Sequence, residues 1–360
     1  MAKRIGILTG GGDCPGLNAV IRAVVLHARG KLGWDVIGLE DGFTGMYEQR
    51  TVELTPRTVS GLIARGGTVL GSSNRANPFA YPVKLPGGEE EIHDVSDACV
   101  AYIEQLELEG LILVGGDGTM GIGQKLMQKG LRVVGVPKTI DNDLEATEYT
   151  IGFQTAVEVA SEALDRLHTT AESHDRIIIC EVMGRYAGWI AMAAGMAAGA
   201  HVILIPELEY DLKKVVQSLH RRHGRGNTYS IMVVAEGAKP KGGTYAVLES
   251  GDQTQQERLG GAGQRLAEQI HRQTEYDVRV TVLGHIQRGG SPCAFDRLLA
   301  TRFGAMAVEL LSSGRYGEVA AIRAGEIVSA PIELCVSKLK RVDPEGELVR
   351  AARSLGIELG

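Results

Sequence analysis

Short runs of apolar, mostly β-branched residues recur along the chain, and each ends in a glycine or a polar turn. They cover the segments 4–9, 35–39, 110–114, 131–136, 176–182, 202–205, 229–235 and 278–283. Amphipathic stretches separate several of these runs. Continuous apolar strands that alternate with such stretches are typical of parallel sheets covered by helices on both faces. The pattern therefore predicts an α/β protein whose strands are mostly parallel.

The clearest predicted helix follows the first run. Within 17–28, apolar residues recur at i, i+3, i+4, i+7 and i+8, which places them on one helix face. Asp13 and Pro15 are the expected start signals of this helix, and Gly33 is its expected stop signal. The same spacing predicts a second helix over 155–170.

One long apolar stretch, 189–205, needs a membrane check because it contains no Asp, Glu, Lys or Arg. Its composition changes at His201 from small residues to branched ones, and it stops at Pro206. We therefore expect a small-residue helix followed by a buried strand rather than a membrane span. Near the C-terminus, the tripeptide at 343–345 predicts the start of a short helix.

Composition excludes several classes of protein. The chain has 360 residues, enough for two domains, with 44% hydrophobic residues and a formal net charge of −6. These values argue against a disordered chain and give no support to a nucleic-acid or membrane surface. The five cysteines are scattered without a C-x-x-C pair, which predicts neither a disulfide framework nor a zinc site. We expect a cytoplasmic protein without a signal peptide.

Two glycine-rich loops follow predicted strands, at the sheet edge where ligands of such folds bind. The first, GGGDCPGLN over 10–18, can hold an anion with backbone N–H groups and the helix N-terminus behind it. The second, GGDGT over 115–119, presents the Asp117 carboxylate beside exposed backbone, as a phosphate-bound Mg²⁺ requires. A tight turn without a ligand is the alternative for the first loop, and GGDGT also occurs in unrelated kinases.

A third loop, PKTIDND over 137–143, brings two carboxylates, a threonine and a lysine to the same edge. A carboxylate beside a phosphate is disfavoured by about 4 kcal/mol at 4 Å and an effective dielectric of 20. It therefore needs a purpose there, and accepting a proton from a substrate hydroxyl is the usual one. A cluster of Asx turns is the alternative for the short tripeptide alone.

A fourth loop, LGHIQRGG over 283–290, follows the last predicted strand and carries a histidine and an arginine. Each arginine near a strand end could by itself be a surface residue. Together they favour phosphate, which a guanidinium binds in a bidentate manner. The arginines concerned are Arg176, Arg185, Arg279 and Arg288.

These motifs together resemble the phosphofructokinase family, and they follow in that family's order from Lys3 to about Ser337. SHDRIIICEVMGRYAG over 173–188 and the tripeptide Ile205-Pro206-Glu207 add to the four loops. The resemblance implies two similar α/β domains, each a mostly parallel sheet flanked by helices, with the active site in the cleft between them. It assigns a phosphoryl-donor domain to 1–152 plus 287–337, and a fructose-6-phosphate domain to 153–286 plus 338–360.

The same resemblance implies a 6-phosphofructokinase that transfers the γ-phosphoryl group of ATP to the 1-hydroxyl of fructose 6-phosphate, as a homotetramer. Asp141 would be the base, Thr139 and Asp143 would place the sugar and the transferring group, and Arg185 would belong to the catalytic set. Asp117 would bind Mg²⁺. The donor would be bound by Gly11, Gly12, Arg75, Gly118, Thr119 and Lys138.

The acceptor site implied by the resemblance draws on both halves of the chain. Besides Thr139, Asp141 and Asp143, the sugar phosphate would be bound by Met183, Gly184, Arg185, Glu236, His285 and Arg288. Arg176 and Arg279 would reach the 6-phosphate bound to a neighbouring subunit, so the active site would include a subunit interface.

The phosphoryl donor is open between two candidates. Family members that use pyrophosphate commonly carry Asp at the position of Gly118 and Lys at the position of Lys138, so this chain is mixed. A carboxylate at 118 would repel an α-phosphate, and Gly118 therefore favours ATP. The alternative is a pyrophosphate-dependent fructose-6-phosphate 1-phosphotransferase. A GGDGT kinase acting on NAD or a lipid, and a non-catalytic sugar-phosphate sensor, are the remaining alternatives.

Overall fold

The strands and helices follow one another along nearly the whole chain. The computed structural model describes residues 2–84, 88, 90–250 and 257–360. The strands are, in chain order, β1 (Arg4–Thr9), β2 (Asp35–Leu39), β3 (Thr51–Leu54), β4 (Tyr81–Lys84), β5 (Glu90–His93), β6 (Leu108–Gly115), β7 (Val133–Pro137), β8 (Ile177–Val182), β9 (Val202–Leu204), β10 (Ser230–Ala235), β11 (Val247–Glu249), β12 (Arg258–Leu259), β13 (Val278–Val282), β14 (Glu318–Arg323) and β15 (Glu326–Pro331). The α-helices are α1 (Leu17–His27), α2 (Phe43–Tyr47), α3 (Ser96–Gln105), α4 (Asp117–Gln128), α5 (Phe153–Ser173), α6 (Trp189–Ala197), α7 (Leu212–Gly224), α8 (Ala262–His271), α9 (Ala294–Ser312) and α10 (Glu347–Ser354).

Two sheets organise the molecule. The larger has seven strands in the spatial order β15-β14-β7-β6-β1-β2-β3, and its five inner strands are parallel. The smaller has four parallel strands in the order β13-β8-β10-β9. The predicted α/β fold with mostly parallel strands is confirmed. The antiparallel edge strands β3 and β15 were not predicted, because they are mostly exposed or half-buried and lack a continuous apolar run.

All eight predicted strands are present, with ends within two residues of the predicted ones. The predicted stop of the first helix is also confirmed, because Gly33 ends the helical turn that follows α1 in a left-handed conformation, with φ 67°. The predicted start signals are wrong. Gly16, with φ 111°, precedes α1, and no side chain caps it. A Cβ at Gly16 would lie 2.5 Å from the side chain of Ile151, so only glycine fits there.

The apolar stretch 189–205 folds as predicted, into α6 followed by β9. None of the helices in the described part of the chain is long and apolar enough to cross a membrane. The short C-terminal helix begins later than predicted, at Glu347. The reason is local, since the Asp343 carboxylate accepts a hydrogen bond from the backbone N–H of Glu345 and forms a turn instead of a helix cap.

The largest hydrophobic core lies between the two sheets. Strand β1 contributes Ile5 and Ile7 to it, whereas Leu8 points into a second core on the far side of the larger sheet. The shared core also contains side chains of β8, α5 and α9. The two sheets are therefore packed together rather than linked only by the chain. The predicted division into two domains stays a prediction.

The five cysteines are free, and four of them are buried. Their thiols are not paired with one another, in agreement with the expectation drawn from their spacing.

A buried carboxylate joins α5 to α9. Helix α5 begins after Gly152, which has φ 98° and no side chain to cap the helix. Asp296 of α9, with 0% of its surface exposed, takes that place. Its carboxylate accepts hydrogen bonds from the backbone N–H of Gly152 at 3.0 Å and from the backbone N–H and Oγ1 of Thr155 at 2.8 and 2.6 Å.

Asp296→Ala is therefore expected to lower the free energy of unfolding by about 2–3 kcal/mol, because it leaves a helix N-terminus buried without acceptors. Urea denaturation followed by circular dichroism measures the change. Asp165→Ala, at an exposed position of α5, is the matched control and should change the value by less than about 0.5 kcal/mol. Equal effects of the two substitutions would show that Asp296 does not cap the helix.

Candidate active site

Asp141, in the loop after β7, lies where loops from both sheets meet. Its charge state responds to Arg288, Arg185 and Lys138, which lower its pKa, and to Asp117, which raises it. Those four residues follow β13, β8, β7 and β6. These charges lie near the Asp141 carboxylate, because water screens charges that are far apart. The structure therefore brings the predicted donor and acceptor loops together around one carboxylate.

The Asp141 carboxylate is buried and incompletely hydrogen-bonded. Only 3% of the residue is exposed, and its Oδ1 has no hydrogen-bond partner among the described residues. The backbone N–H of Asp141 donates to Thr139 Oγ1 at 3.1 Å, which fixes the turn. Burial raises the pKa of Asp141, since a charge is poorly solvated there. Such an oxygen is available to accept a proton from a ligand.

Two further carboxylates share this environment. Burial, and then the neighbouring charge of Asp141, raises the pKa of Asp143 to about 7 and that of Glu236 to about 7. Glu236 follows β10, and its Oε1 accepts a hydrogen bond from the backbone N–H of Arg185 at 2.9 Å. At neutral pH both groups are therefore partly protonated in the absence of ligands, and cationic ligands would favour their ionised forms.

The glycine-rich loop after β1 has two cations against it. Lys138, of which 4% is exposed, donates from Nζ to the carbonyl of Gly12. A Cβ at Gly12 would lie 2.8 Å from Arg288 Nη1, which also donates to the carbonyl of Asp13 at 3.3 Å. Gly11 is left-handed, with φ 74°. Arg288, predicted to bind the sugar phosphate, thus lies directly against the predicted donor loop.

The GGDGT loop packs on the first loop at the start of α4. Thr119 is buried, and a Cβ at Gly10 would lie 2.6 Å from its Oγ1, so glycine permits the close approach. Asp117 is half-buried at the helix N-terminus. Next to it, a Cβ at Gly118 would meet no described atom within 4 Å. The space above Gly118 is therefore open to a ligand.

The residues present fit a magnesium ion. Mg²⁺ is usually bound by one or two carboxylates together with phosphate oxygens of the substrate. Asp117 supplies a carboxylate beside the glycine-rich backbone, and its charge reaches Asp141 and Asp143. The metal would be held by Asp117 and the bound phosphates.

The loop after β8 presents Arg185 in an uncommon backbone conformation. Gly184 has φ 141° and Arg185 has φ 50°. A Cβ at Gly237 would lie 2.0 Å from the carbonyl of Arg185, so two loops of the smaller sheet touch here. Residues in left-handed conformations persist where the surroundings hold them, and they are common at functional sites. Met183, just before, is half-buried.

Two predicted site residues, Arg176 and Arg279, lie apart from the loops that follow the strands. Arg176 precedes β8 and Arg279 lies near the start of β13, at the opposite end of the strands from the site loops. Both form ion pairs with Asp277, each at 2.7 Å. His285 is exposed in the turn after β13.

A cavity of about 340 Å³ adjoins the donor loop. It is lined by Tyr47, Tyr81, Ser73 and Arg75 among others, and the carbonyl of Ser73 accepts a hydrogen bond from the backbone N–H of Gly11 at 3.2 Å. Sequence reasoning identified only Arg75 here. The walls come from three separate segments, and no local spacing relates them to one another.

Sequence reasoning also missed a hydrogen-bonded support under the catalytic loop. Asn142 lies between the two carboxylates of the TIDND motif, and its Oδ1 accepts from Lys340 Nζ at 3.1 Å. The asparagine was within a recognised motif, but its partner is about 200 residues away in sequence. No spacing rule could have joined them.

Comparisons with known proteins identify the family of the chain. The family model described as Phosphofructokinase matches residues 4–311. The chain is 49% identical to the ATP-dependent 6-phosphofructokinase 2 of Clostridium perfringens, over 99% of this chain and 98% of that protein. It is 50% identical to the pyrophosphate–fructose 6-phosphate 1-phosphotransferase of Streptomyces coelicolor, over 95% of this chain and 96% of that protein.

Among solved structures, phosphofructokinase from Saccharomyces cerevisiae is similar, with a TM-score of 0.77 and 28% identity. The similarity covers 93% of this chain and 45% of the yeast chain, so this protein spans less than half of that length. The family match and the relatives of nearly equal length show that the chain belongs to the phosphofructokinase family.

Proposed function

We propose that this protein is an ATP-dependent 6-phosphofructokinase, which transfers the γ-phosphoryl group of ATP to the 1-hydroxyl of fructose 6-phosphate and forms fructose 1,6-bisphosphate. The observation that carries the proposal is the buried Asp141 carboxylate. It has an oxygen without a described partner, and it lies between the loops suited to bind a polyphosphate and the loop that presents Arg185. The motifs and the family membership support the same reaction.

In this reaction Asp141 accepts the proton of the sugar hydroxyl as the oxygen attacks the phosphoryl group. Phosphoryl transfer needs little covalent chemistry from the protein, and positioning and charge neutralisation supply most of the acceleration. Lys138, Arg288 and Arg185, all close enough to affect Asp141, would stabilise charge on the transferring group. Thr139 and Asp143 would orient the sugar. The metal, when bound at Asp117, neutralises phosphate charge.

The remaining predicted residues divide into those that would contact the phosphoryl donor and those that would contact the sugar phosphate. Gly11, Gly12, Gly118 and Thr119 would surround the donor phosphates, with Arg75 beside them. The sugar phosphate would contact Met183, Gly184, Glu236 and His285.

Two features favour ATP over pyrophosphate. The cavity of about 340 Å³ beside Ser73 and Arg75 is of a size that binds small organic molecules, and pyrophosphate has no group to fill it. Gly118 leaves open space where a carboxylate would repel an α-phosphate. Overall similarity does not choose the donor, since relatives named for either one are about half identical to this chain.

We also propose a homotetramer in which Arg176 and Arg279 bind the 6-phosphate held by a neighbouring subunit. Arg279 is on β13, an edge strand of the smaller sheet. The same edge exposes apolar side chains, with Val282 of β13 57% and Ile286, in the turn after it, 68% exposed. Exposed strand edges and apolar patches are typical of surfaces that bind another chain.

A cytoplasmic location is proposed as well, supported by the free cysteines.

Asp141→Asn is expected to lower kcat about 10²- to 10⁴-fold, because an amide cannot accept the hydroxyl proton. The KM for fructose 6-phosphate should change little. In the unaltered protein kcat/KM should fall as the pH falls, since burial raises the pKa of Asp141 and the ionised form is lost below that pKa. Coupled-assay kinetics against pH measure both quantities.

Asp165→Asn, at an exposed site on α5, is the control for this substitution and should leave kcat unchanged. Near-normal turnover of Asp141→Asn would remove Asp141 as the base.

Gly118→Asp is expected to lower kcat/KM for ATP at least about tenfold through repulsion of the α-phosphate. Gly118→Asn has almost the same shape without the charge, and should retain most of the activity. Open space around the position predicts normal folding for both variants, which their melting temperatures check. Turnover of the unaltered protein with pyrophosphate but not with ATP would establish the alternative donor.

Arg279→Ala should raise the KM for fructose 6-phosphate about 10- to 100-fold, the cost of a lost charge-assisted hydrogen bond. Hybrid oligomers formed from Arg279→Ala subunits and Asp141→Asn subunits test where the arginine acts. If it serves a neighbour, some hybrid sites have both groups intact, and these should regain the normal KM. If none of the hybrid oligomers shows the normal KM, Arg279 acts in the active site of its own chain.

A further inference from the structure

The segment 338–343, which we call the C-terminal strap, runs along the loop that carries Asp141. It lies beyond the part of the chain matched by the family model, which ends at residue 311. Leu339 pairs with Leu144 in an antiparallel bridge. The backbone N–H of Lys340 donates to the carbonyl of Asp143 at 2.8 Å. The strap therefore forms a short piece of sheet with the end of the catalytic loop.

The Lys340 side chain is bound to the same loop by three hydrogen bonds. Its Nζ donates to Asn142 Oδ1 at 3.1 Å, to the carbonyl of Thr147 at 2.9 Å and to the carbonyl of Glu148 at 2.7 Å. All three donors of the ammonium are thus used. Burial lowers the pKa of Lys340 to about 8, against the opposing charges of Asp143, Glu145 and Glu148. The amine is therefore mostly charged at neutral pH.

Asn142 connects the Lys340 side chain to the two carboxylates of the TIDND motif. It lies between Asp141 and Asp143 and has a left-handed backbone, with φ 52°. Its Oδ1 accepts from Lys340 and also from the backbone N–H of Thr150 at 3.1 Å. Thr150 Oγ1 donates to the same oxygen at 3.4 Å, so three donors hold the turn that sets the directions of the flanking side chains.

The strap also binds residues that support the loop after β8. The indole N–H of Trp189, at the start of α6, donates to the carbonyl of Lys340 at 3.0 Å. The backbone N–H of Val342 donates to Glu207 Oε1 at 2.9 Å, and that same oxygen accepts from the backbone N–H of Gly188 at 2.9 Å. Gly188 ends the loop that carries Arg185. One short segment thus contacts the supports of both sides of the site.

A segment that only anchored the C-terminus would not need a buried ammonium. The apolar burial of Val342, which is 2% exposed, already anchors the strap. Placing a half-buried lysine there costs desolvation, which is offset by its three hydrogen bonds to the loop that carries Asp141 and by its position 5.4 Å from the centroid of the Trp189 ring.

We propose that Lys340 is a positioning residue for phosphoryl transfer, which holds the Asp141–Asp143 turn in a fixed relation to the loop of Arg185. The proposal rests on the proposed function for its kinetic consequence, although the contacts exist independently of it. Misplacement of a reacting group by about 1 Å can reduce turnover about 10²-fold. Lys340 therefore affects kcat far more than substrate affinity.

The test compares Lys340→Met, Lys340→Arg and the control Lys338→Met, an exposed lysine two residues away. We expect Lys340→Met to lower kcat about 10- to 100-fold, with KM values for ATP and fructose 6-phosphate changed less than about threefold. Lys340→Arg, which keeps the charge and the donors, should recover most of kcat. Lys338→Met should match the unaltered protein.

Hydrogen exchange gives a readout that does not depend on activity. Amides of 139–150 should exchange faster in Lys340→Met, while those of the β1 and β6 strands stay protected. If the unaltered protein does not phosphorylate fructose 6-phosphate, the proposed function fails, whereas unchanged exchange in 139–150 would overturn the role of the strap by itself.

Three further outcomes would overturn the proposal. They are an unchanged kcat in Lys340→Met, a kcat in Lys340→Arg no higher than in Lys340→Met, and a loss of protection throughout the chain with a matching fall in melting temperature. Lys340→Gln, which keeps a polar group on the strap, provides the same kinetic comparison should Lys340→Met not fold. An unchanged kcat in that variant would also count against the proposal.

Discussion

The burial of the Asp141 carboxylate is the constraint around which the site is built. A charge removed from water is costly unless opposite charges and hydrogen-bond donors face it. Here the compensating cations are Lys138, Arg185 and Arg288, which come from loops of both sheets. They can face one carboxylate only if the two sheets keep a fixed position relative to each other. The hydrophobic core that contains residues of both sheets fixes that position. The chemistry therefore depends on packing far from the reacting atoms.

The site also requires that its loops approach one another closely. The first loop touches Thr119 at Gly10 and Arg288 at Gly12, and Gly237 touches the carbonyl of Arg185. A larger side chain at Gly237 would meet the backbone carbonyl of Arg185 at 2.0 Å and separate the two loops, whereas one at Gly12 would displace the end of the Arg288 side chain. Part of the high glycine content thus reflects the narrow spacing of the site rather than turns alone. The same crowding keeps water away, which raises the pKa of Asp143 and Glu236 as well as Asp141.

The site also depends on segments outside the recognised motifs. Asp296 joins the start of α5 to α9, and the C-terminal strap joins the catalytic loop to Trp189 and Glu207. In each case a buried or half-buried polar group satisfies backbone groups that a helix end or a turn leaves without partners. These contacts connect parts of the chain that lie more than 100 residues apart.

Local patterns were sufficient for eight of the fifteen strands in the described part of the chain, for the α/β class and for the position of the glycine-rich loops. A buried strand or a glycine-rich turn is determined by neighbouring residues, and loops that follow parallel strands must share an edge. Other features were decided only by tertiary structure. They include the cavity lined by Tyr47 and Tyr81, the cap by Asp296, the anchor by Lys340 and the placement of Arg288 against Gly12. Each joins residues with no fixed separation along the chain. Their energies come from burial and from the exclusion of water, which exist only once the sheets have packed.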